Sequence, residues 1–167
     1  HVTIDHKIDG DVNFMVYGYM NRGSHEGYCG AGIYHYNHDQ NVVEEKVFIP
    51  TTESFEFLKS DFGTLSYVNK KNQLFLLLSG SLYQINIDDS DYKVLAENID
   101  SNQFAVSETN AHAAWRIVDG EQTGQIEYID FDSLKTRNDI PDASQQLRVL
   151  GFMNEDLIYG NVLDGDS

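Results

Sequence analysis

The sequence is short of several residue types, and each shortage narrows what the chain can be. Cys29 is the only cysteine in 167 residues, so no intrachain disulfide can form and the cysteine count gives no support to a disulfide-stapled scaffold. Two prolines are too few for a Pro-rich linker. Lysine and arginine total 11 against 27 aspartates and glutamates, a formal net charge of −16. That field repels phosphate backbones, so nucleic acid is not an expected partner, and anionic membrane surfaces are disfavoured for the same reason. No apolar run approaches the roughly 18 residues of a spanning helix. The longest, Leu74 to Leu78, has the length of a strand. No transmembrane segment is therefore expected in this chain.

Sequence motifs for common chemistries are missing as well. Neither Gly-x-x-x-x-Gly-Lys-Ser/Thr nor Gly-x-Gly-x-x-Gly occurs, and Gly27, Gly30 and Gly32 are irregularly spaced with no helix pattern after them. There is no Gly-x-Ser-x-Gly elbow. No cofactor is indicated. The chain opens on His1 and has no signal-like start, which reads as a native N-terminus already removed.

What is present favours β-structure. Hydrophobic residues make up 41%, enough for a core, and ten Tyr with nine Phe suit half-buried pleated surfaces. One pattern recurs three times: Gly32-Ile33-Tyr34-His35-Tyr36-Asn37-His38-Asp39, Ser81-Leu82-Tyr83-Gln84-Ile85-Asn86-Ile87-Asp88 and Gln125-Ile126-Glu127-Tyr128-Ile129-Asp130-Phe131-Asp132. Each copy has an aliphatic residue second, Tyr or Ile fifth, Asn or Asp sixth and Asp eighth. The flanks repeat too. Thr64–Val68 and Gln73–Leu78 precede the second copy, Gln103–Ser107 and Ala113–Val118 the third, and Leu147–Phe152 with Leu157–Val162 begin a fourth. Each unit reads as four strands joined by polar turns.

The expected fold class is all-β, built of antiparallel four-stranded blade-like repeats that form a partial β-propeller. One propeller-like domain covers the chain, with units at about 2–50, 62–99 and 102–141 and a half-unit at 146–167. The apolar stretch Thr51–Asp61 interrupts the pattern and reads as a short helix or an extended connection. Ile33, Leu82 and Ile126 are expected at equivalent buried positions. A half-unit leaves a strand edge along Leu157–Val162, which is expected to pair with another chain or to lie under a loop.

The recurring aliphatic-Tyr-x-Ile-Asn/Asp-x-Asp strand resembles the blade repeat of bacterial β-propellers of the YVTN or TolB-like kind. The resemblance implies stacked blades, and it implies a location outside the cell or in the envelope.

Candidate chemistry is sparse. His25, Cys29, His35 and His38 fall within fourteen residues and are all permissible zinc ligands, but their spacing fits no standard finger or ribbon. His38 stands where Ile87 and Phe131 stand in the other copies, so it also reads as a half-buried filler. Asp88-Asp89-Ser90-Asp91 and Asp130-Phe131-Asp132 supply oxygens without the layout of a calcium loop, and aspartate at one repeated position reads as turn chemistry. Ser24-His25-Glu26 and Ser107-Glu108 are neighbours in sequence, which does not make a triad. Cys29 would need a nearby base or positive charge to act as a nucleophile, and His25 is the candidate. No catalytic residue is assigned. Tyr28, Tyr34, Tyr36 and Trp115 are the candidate ligand-binding aromatics.

These readings give a non-catalytic propeller-type binding or scaffolding module of a bacterial envelope or surface protein, with a protein or glycan ligand. The rivals are a fragment of a propeller-fold hydrolase and a structural spacer.

Overall fold

A computed structural model of the chain describes residues 2–8, 10–141 and 145–163. Among these, fourteen strands form four antiparallel sheets. The first sheet runs in chain order through β1 (Val2–Ile8), β2 (Asp11–Tyr19), β3 (Cys29–Asn37) and β4 (Val42–Thr51). The second contains β5 (Ser66–Val68), β6 (Gln73–Leu78), β7 (Ser81–Asn86) and β8 (Asp91–Ala96). The third contains β9 (Phe104–Val106), β10 (His112–Arg116), β11 (Ile126–Asp130) and β12 (Thr136–Asp139). A hairpin of β13 (Gln145–Met153) and β14 (Asp156–Leu163) completes the set. Every strand neighbours the next one in sequence, so each sheet is a meander joined by turns.

The turns repeat more faithfully than the side chains do. Between the first two strands of each sheet, and in the hairpin, a residue enters the left-handed region: Gly10, Asn72, Asn110 and Asn154. Glycine carries no Cβ penalty there, and asparagine tolerates the conformation better than other residues. Between the third and fourth strands the connection is four residues long in the first two sheets and five in the third, and its fourth residue has positive φ in each: Asn41, Ser90 and Leu134. The side chain at the sixth motif position braces two of these turns. Asn37 Oδ1 accepts from the Gln40 N–H at 2.8 Å, and Asp130 Oδ1 accepts from the N–H groups of Asp132 and Ser133 at 2.9 and 3.1 Å. Turn chemistry thus sits at the sixth position in two of the three copies, and the eighth-position Asp88 accepts from the Asn72 side chain at 2.7 Å.

Two buried polar residues have the same explanation. Asn69 follows β5 and accepts from the N–H groups of Lys71 and Gln73. Ser107 follows β9, and its Oγ accepts from the His112 N–H at 3.1 Å. Both close the turn that leads into the second strand of their sheets, which satisfies backbone donors that would otherwise be stranded.

The chain packs as two compact units. The first takes residues up to Ser79 together with Tyr83–Leu95, and the second takes Gly80–Leu82 and the residues from Ala96 on. In the first unit, one face of the first sheet (Met15, Tyr17, Ala31, Ile33, Val47, Ile49) meets Leu74, Leu76, Leu78, Ile85 and Ile87 of the second sheet and its turn. The Thr51–Asp61 segment becomes helix α1 (Phe55–Thr64), which packs on β6 and β2 through Leu58 and Phe62. Tyr17 stacks on Phe55 and meets Phe62 edge-on, with centroids 5.6 and 4.7 Å away.

In the second unit, Ala114 and Ile126 of the third sheet bury Leu147 and Val149 of the hairpin, with Tyr128, Phe152 and Leu157 packed alongside. β13 lies against β9, β10 and β11. Among the described residues, β13 and β14 pair only with each other, so the edge along Leu157–Val162 has no strand partner within the chain. Ile33, Leu82 and Ile126 are 1%, 0% and 0% exposed, each on the third strand of its sheet. His38 departs from the expected filler role: it lies in the exposed turn after β3, whereas Ile87 and Phe131 are buried.

Candidate ligand-binding surface

The face of the first sheet opposite the core holds two of the four sequence-flagged aromatics. Alternation along β2 and β3 puts Phe14, Tyr34 and Tyr36 on that face, where they are half-buried. Phe14 and Tyr34 stand opposite each other and stack with centroids 5.5 Å apart. The partner strand β4 changes phase on the way. Ile33 opposes Val47 but Tyr34 opposes Glu45, so Lys46 is an extra residue in β4. This bulge turns Glu45 from the core side to the aromatic side. The Tyr34 hydroxyl then donates to Glu45 Oε2 at 2.9 Å.

Two glycines make room for the rings. A Cβ on Gly32 would meet the Tyr34 ring at 2.7 Å. A Cβ on Gly30 would meet the Phe48 ring at 2.7 Å and the Ile49 carbonyl oxygen at 2.5 Å. Tyr34 and Phe48 therefore lie flat over bare backbone. The loop that leaves β2 closes on itself, with Met20 donating to the Tyr28 carbonyl and Gly27 to the Met20 carbonyl, both at 2.8 Å. It brings His25 onto Phe48, rings parallel within 7° and centroids 3.8 Å apart. The His25 imidazole donates to Glu45 Oε1 at 2.7 Å. Glu45 thus ties Tyr34 and His25 together. Burial and the adjacent Glu45 push the Tyr34 phenol up to about 12.

The flagged residues separate into distinct roles. Tyr28 is 60% exposed at the end of the His25 loop. Tyr36 donates to Asn41 Oδ1 at 3.1 Å in the turn after β3. Trp115 is 3% exposed and stacks on Phe104 inside the second unit, so it offers no surface to a ligand. The four zinc candidates are not gathered. His25 lies over Phe48, whereas Cys29 packs against the core with its thiol donating to the Glu53 carbonyl at 3.4 Å. The His35 Nδ1 donates to Asn13 Oδ1 at 2.8 Å, with Asp11 near its other nitrogen. Among the described residues, no three or more His, Cys, Asp or Glu side chains form a group able to hold a metal ion. His25, the base that the nucleophilic reading of Cys29 named, is engaged by Phe48 and Glu45.

No family model matches the chain, and no curated protein matches it. Among solved structures, the crystal structure of the tricorn protease is similar at a TM-score of 0.43 and 12% identity, over 87% of this chain and 13% of that one. The chain therefore spans only a small part of that protein's length.

A second polar cluster lies in the other unit. The Thr109 N–H donates to Glu155 Oε1 at 3.2 Å, and the neighbouring Ser107 hydroxyl contributes most to holding that carboxyl below the usual carboxylate range. The His112 Nδ1 is 3.4 Å from Glu155 Oε2. The residue types are those of a Ser–His–acid triad, but the connections differ. The Ser107 Oγ accepts from the His112 backbone N–H and the imidazole faces Glu155, so these contacts do not place the imidazole as base to the hydroxyl. Ser107 is 3% exposed and already closes a turn. This cluster fastens the β13–β14 turn to the β9–β10 turn.

Phe14, Glu45 and Phe48 are the site residues that sequence reasoning missed. The alternation of Gly30, Gly32 and Tyr34 on one strand face was a usable signal, because bare backbone beside an aromatic invites a ring to lie over it. Glu45 carried no such signal, since its side depends on a bulge.

Proposed function

We propose that the chain is a non-catalytic, propeller-type protein-binding module of a bacterial envelope or surface protein, and that it binds its partner through the aromatic face of the first sheet. The observation that carries the reading is the clamp of Phe14, Tyr34, Phe48 and His25 around Glu45. Interfaces concentrate their energy in a few aromatic anchors held rigid before binding. Here the rings are fixed by stacking and by one carboxylate. Exposed Tyr28, Val42 and Val43 supply the rim. A protein fits this face better than a sugar does, because the stacked rings spend their flat faces on one another. The surplus of negative charge favours a partner with a basic rim and a salt-sensitive on-rate. The propeller and envelope parts of the reading rest on the repeat pattern and on its resemblance to bacterial propeller blades.

The test immobilises the chain and exposes it to envelope extract from its source. A partner should bind wild type and Tyr159→Ala, elute with salt, and be lost with Tyr28→Ala combined with Phe48→Ala. The purified partner should then show the same dependence by calorimetry. Binding indifferent to Tyr28 and Phe48, or turnover of ester, peptide or glycoside substrates by the isolated chain, would defeat the proposal.

A further inference from the structure

The second unit contains an open groove that the first-sheet reading does not use. It has a cavity volume of ≈ 430 Å³ and is bounded by the end of β12 on one side and by β14 on the other. Volumes of about 300–1,000 Å³ are typical of small-ligand sites. Asn138, Asp139 and Ile140 line one wall, Tyr159 and Asn161 line the other, and buried Leu147 contributes to its base. Strand pairing explains the second wall. Val149 opposes Tyr159 and Leu147 opposes Asn161, so both β14 residues share the face on which the two aliphatics are buried. β14 reaches beyond that packed zone, leaving Tyr159 41% exposed.

The chemistry of the lining selects a ligand class. Among the described residues, Tyr159 has no ring partner, and the carboxamides of Asn138 and Asn161 have no side-chain hydrogen bonds. This differs from the first sheet, where Phe14 and Tyr34 stack on each other, His25 stacks on Phe48, and Glu45 takes the polar tips of Tyr34 and His25. Each carboxamide offers donors and an acceptor together, which matches neighbouring hydroxyl groups that both give and accept. A free phenol ring accepts the C–H face of a pyranose and still presents a hydroxyl at its edge. The one carboxylate in the lining, Asp139, is 3.3 Å from the Arg137 guanidinium. That pairing leaves the groove near neutrality. A hard cation needs about six to eight oxygens, several of them charged, which this lining does not supply. An anionic ligand would face the net charge of −16.

We infer that this groove is a binding subsite for a neutral carbohydrate, with a sugar ring on Tyr159 and its hydroxyls shared between Asn138 and Asn161. It lies in the second unit and does not depend on the first-sheet protein interface, so either reading can fail alone.

The experiment is an amide-resolved NMR titration of the intact chain with four neutral probes: maltohexaose, cellohexaose, laminarihexaose and chitohexaose. Calcium chloride and an alginate hexamer serve as cationic and anionic probes. At least one neutral probe should saturably shift the amides of Asn138, Tyr159 and Asn161. Tyr159→Ala should weaken that binding about tenfold, whereas Tyr159→Phe retains most of it, and Phe48→Ala leaves it unchanged. If Tyr159→Ala disturbs the spectrum of the whole unit, Asn161→Ala takes its place in the comparison. The inference is overturned if none of the four neutral probes shifts these amides. It is equally overturned if calcium or alginate shifts them more strongly, or if the Tyr159 and Asn161 variants bind as wild type does.

Discussion

Tyr34 shows how one side chain records its surroundings. Its phenol is raised from 10.0 to about 12 in the folded chain, mainly by burial and then by Glu45. The folded state therefore holds the proton more tightly than the unfolded state. Its contribution to stability is complete below pH 10 and is lost as pH climbs from 10 towards 12. Urea midpoints measured across that window should fall more steeply for wild type than for Tyr34→Phe, and Tyr34→Phe should remove one late-ionising tyrosine from a phenolate absorbance titration. Equal slopes would mean that Tyr34 is not clamped. Gly30 gives a second residue-scale prediction. A methyl group there would press on the Ile49 carbonyl oxygen, which belongs to backbone paired in the sheet and cannot swing aside. Gly30→Ala should cost about 1–3 kcal/mol in chemical denaturation, the usual range for overpacking. An unchanged midpoint would show that the strand yields.

At the scale of elements, the strands were readable and the helix was only half readable. Period-two patterns and polar turns located the sheets, because side-chain direction in a strand depends on nothing but parity. Thr51–Asp61 was ambiguous because Phe55, Phe57 and Leu58 fit neither period. The deciding residue, Phe62, lay one position past that window and four after Leu58, on the same helical face. Phe57 is 64% exposed and was misleading. Within α1, Gly63 has open space where a Cβ would go. Gly63→Ala should therefore stabilise the chain by up to about 1 kcal/mol, by removing unfolded-state freedom. A lowered melting temperature would argue against the helix extending that far. The turns carry a related prediction. Leu134 holds φ at 61°, a position filled by Asn41 and Ser90 in the other sheets. Left-handed backbone costs an ordinary residue roughly 1–2 kcal/mol. Leu134→Asn should return part of that and raise the melting temperature, whereas a fall would show that the Leu134 side chain contributes more by packing than its backbone loses by strain.

For the whole molecule, composition foretold the class of the fold better than the location of a site. The aromatic surplus was visible, but which rings face solvent depends on details that no repeat pattern contains. A single bulge in β4 delivers Glu45 to Tyr34, and the second unit encloses Trp115. The groove beside Tyr159 was illegible for a similar reason, since its walls come from strands twenty residues apart in sequence. Charge acts at this scale too. A net charge of −16 opposes association of two copies, while the unpartnered edge along Leu157–Val162 invites it. Salt screens the first and barely touches the second. Light scattering should therefore show self-association strengthening from low to high salt. A strict monomer at both extremes would mean that the edge is guarded by something other than charge.

The first four residues after β3, β7 and β11 read His-Asp-Gln-Asn, Ile-Asp-Asp-Ser and Phe-Asp-Ser-Leu, and the fourth has positive φ in each. Their first residue is not interchangeable, since Ile87 and Phe131 are buried where His38 is exposed, but the two residues after it are exposed in all three turns. Recombination confined to those exposed positions would exchange surface chemistry while leaving the sheets intact. Turn surfaces could thus be traded among the three sheets without first having to rebuild a core.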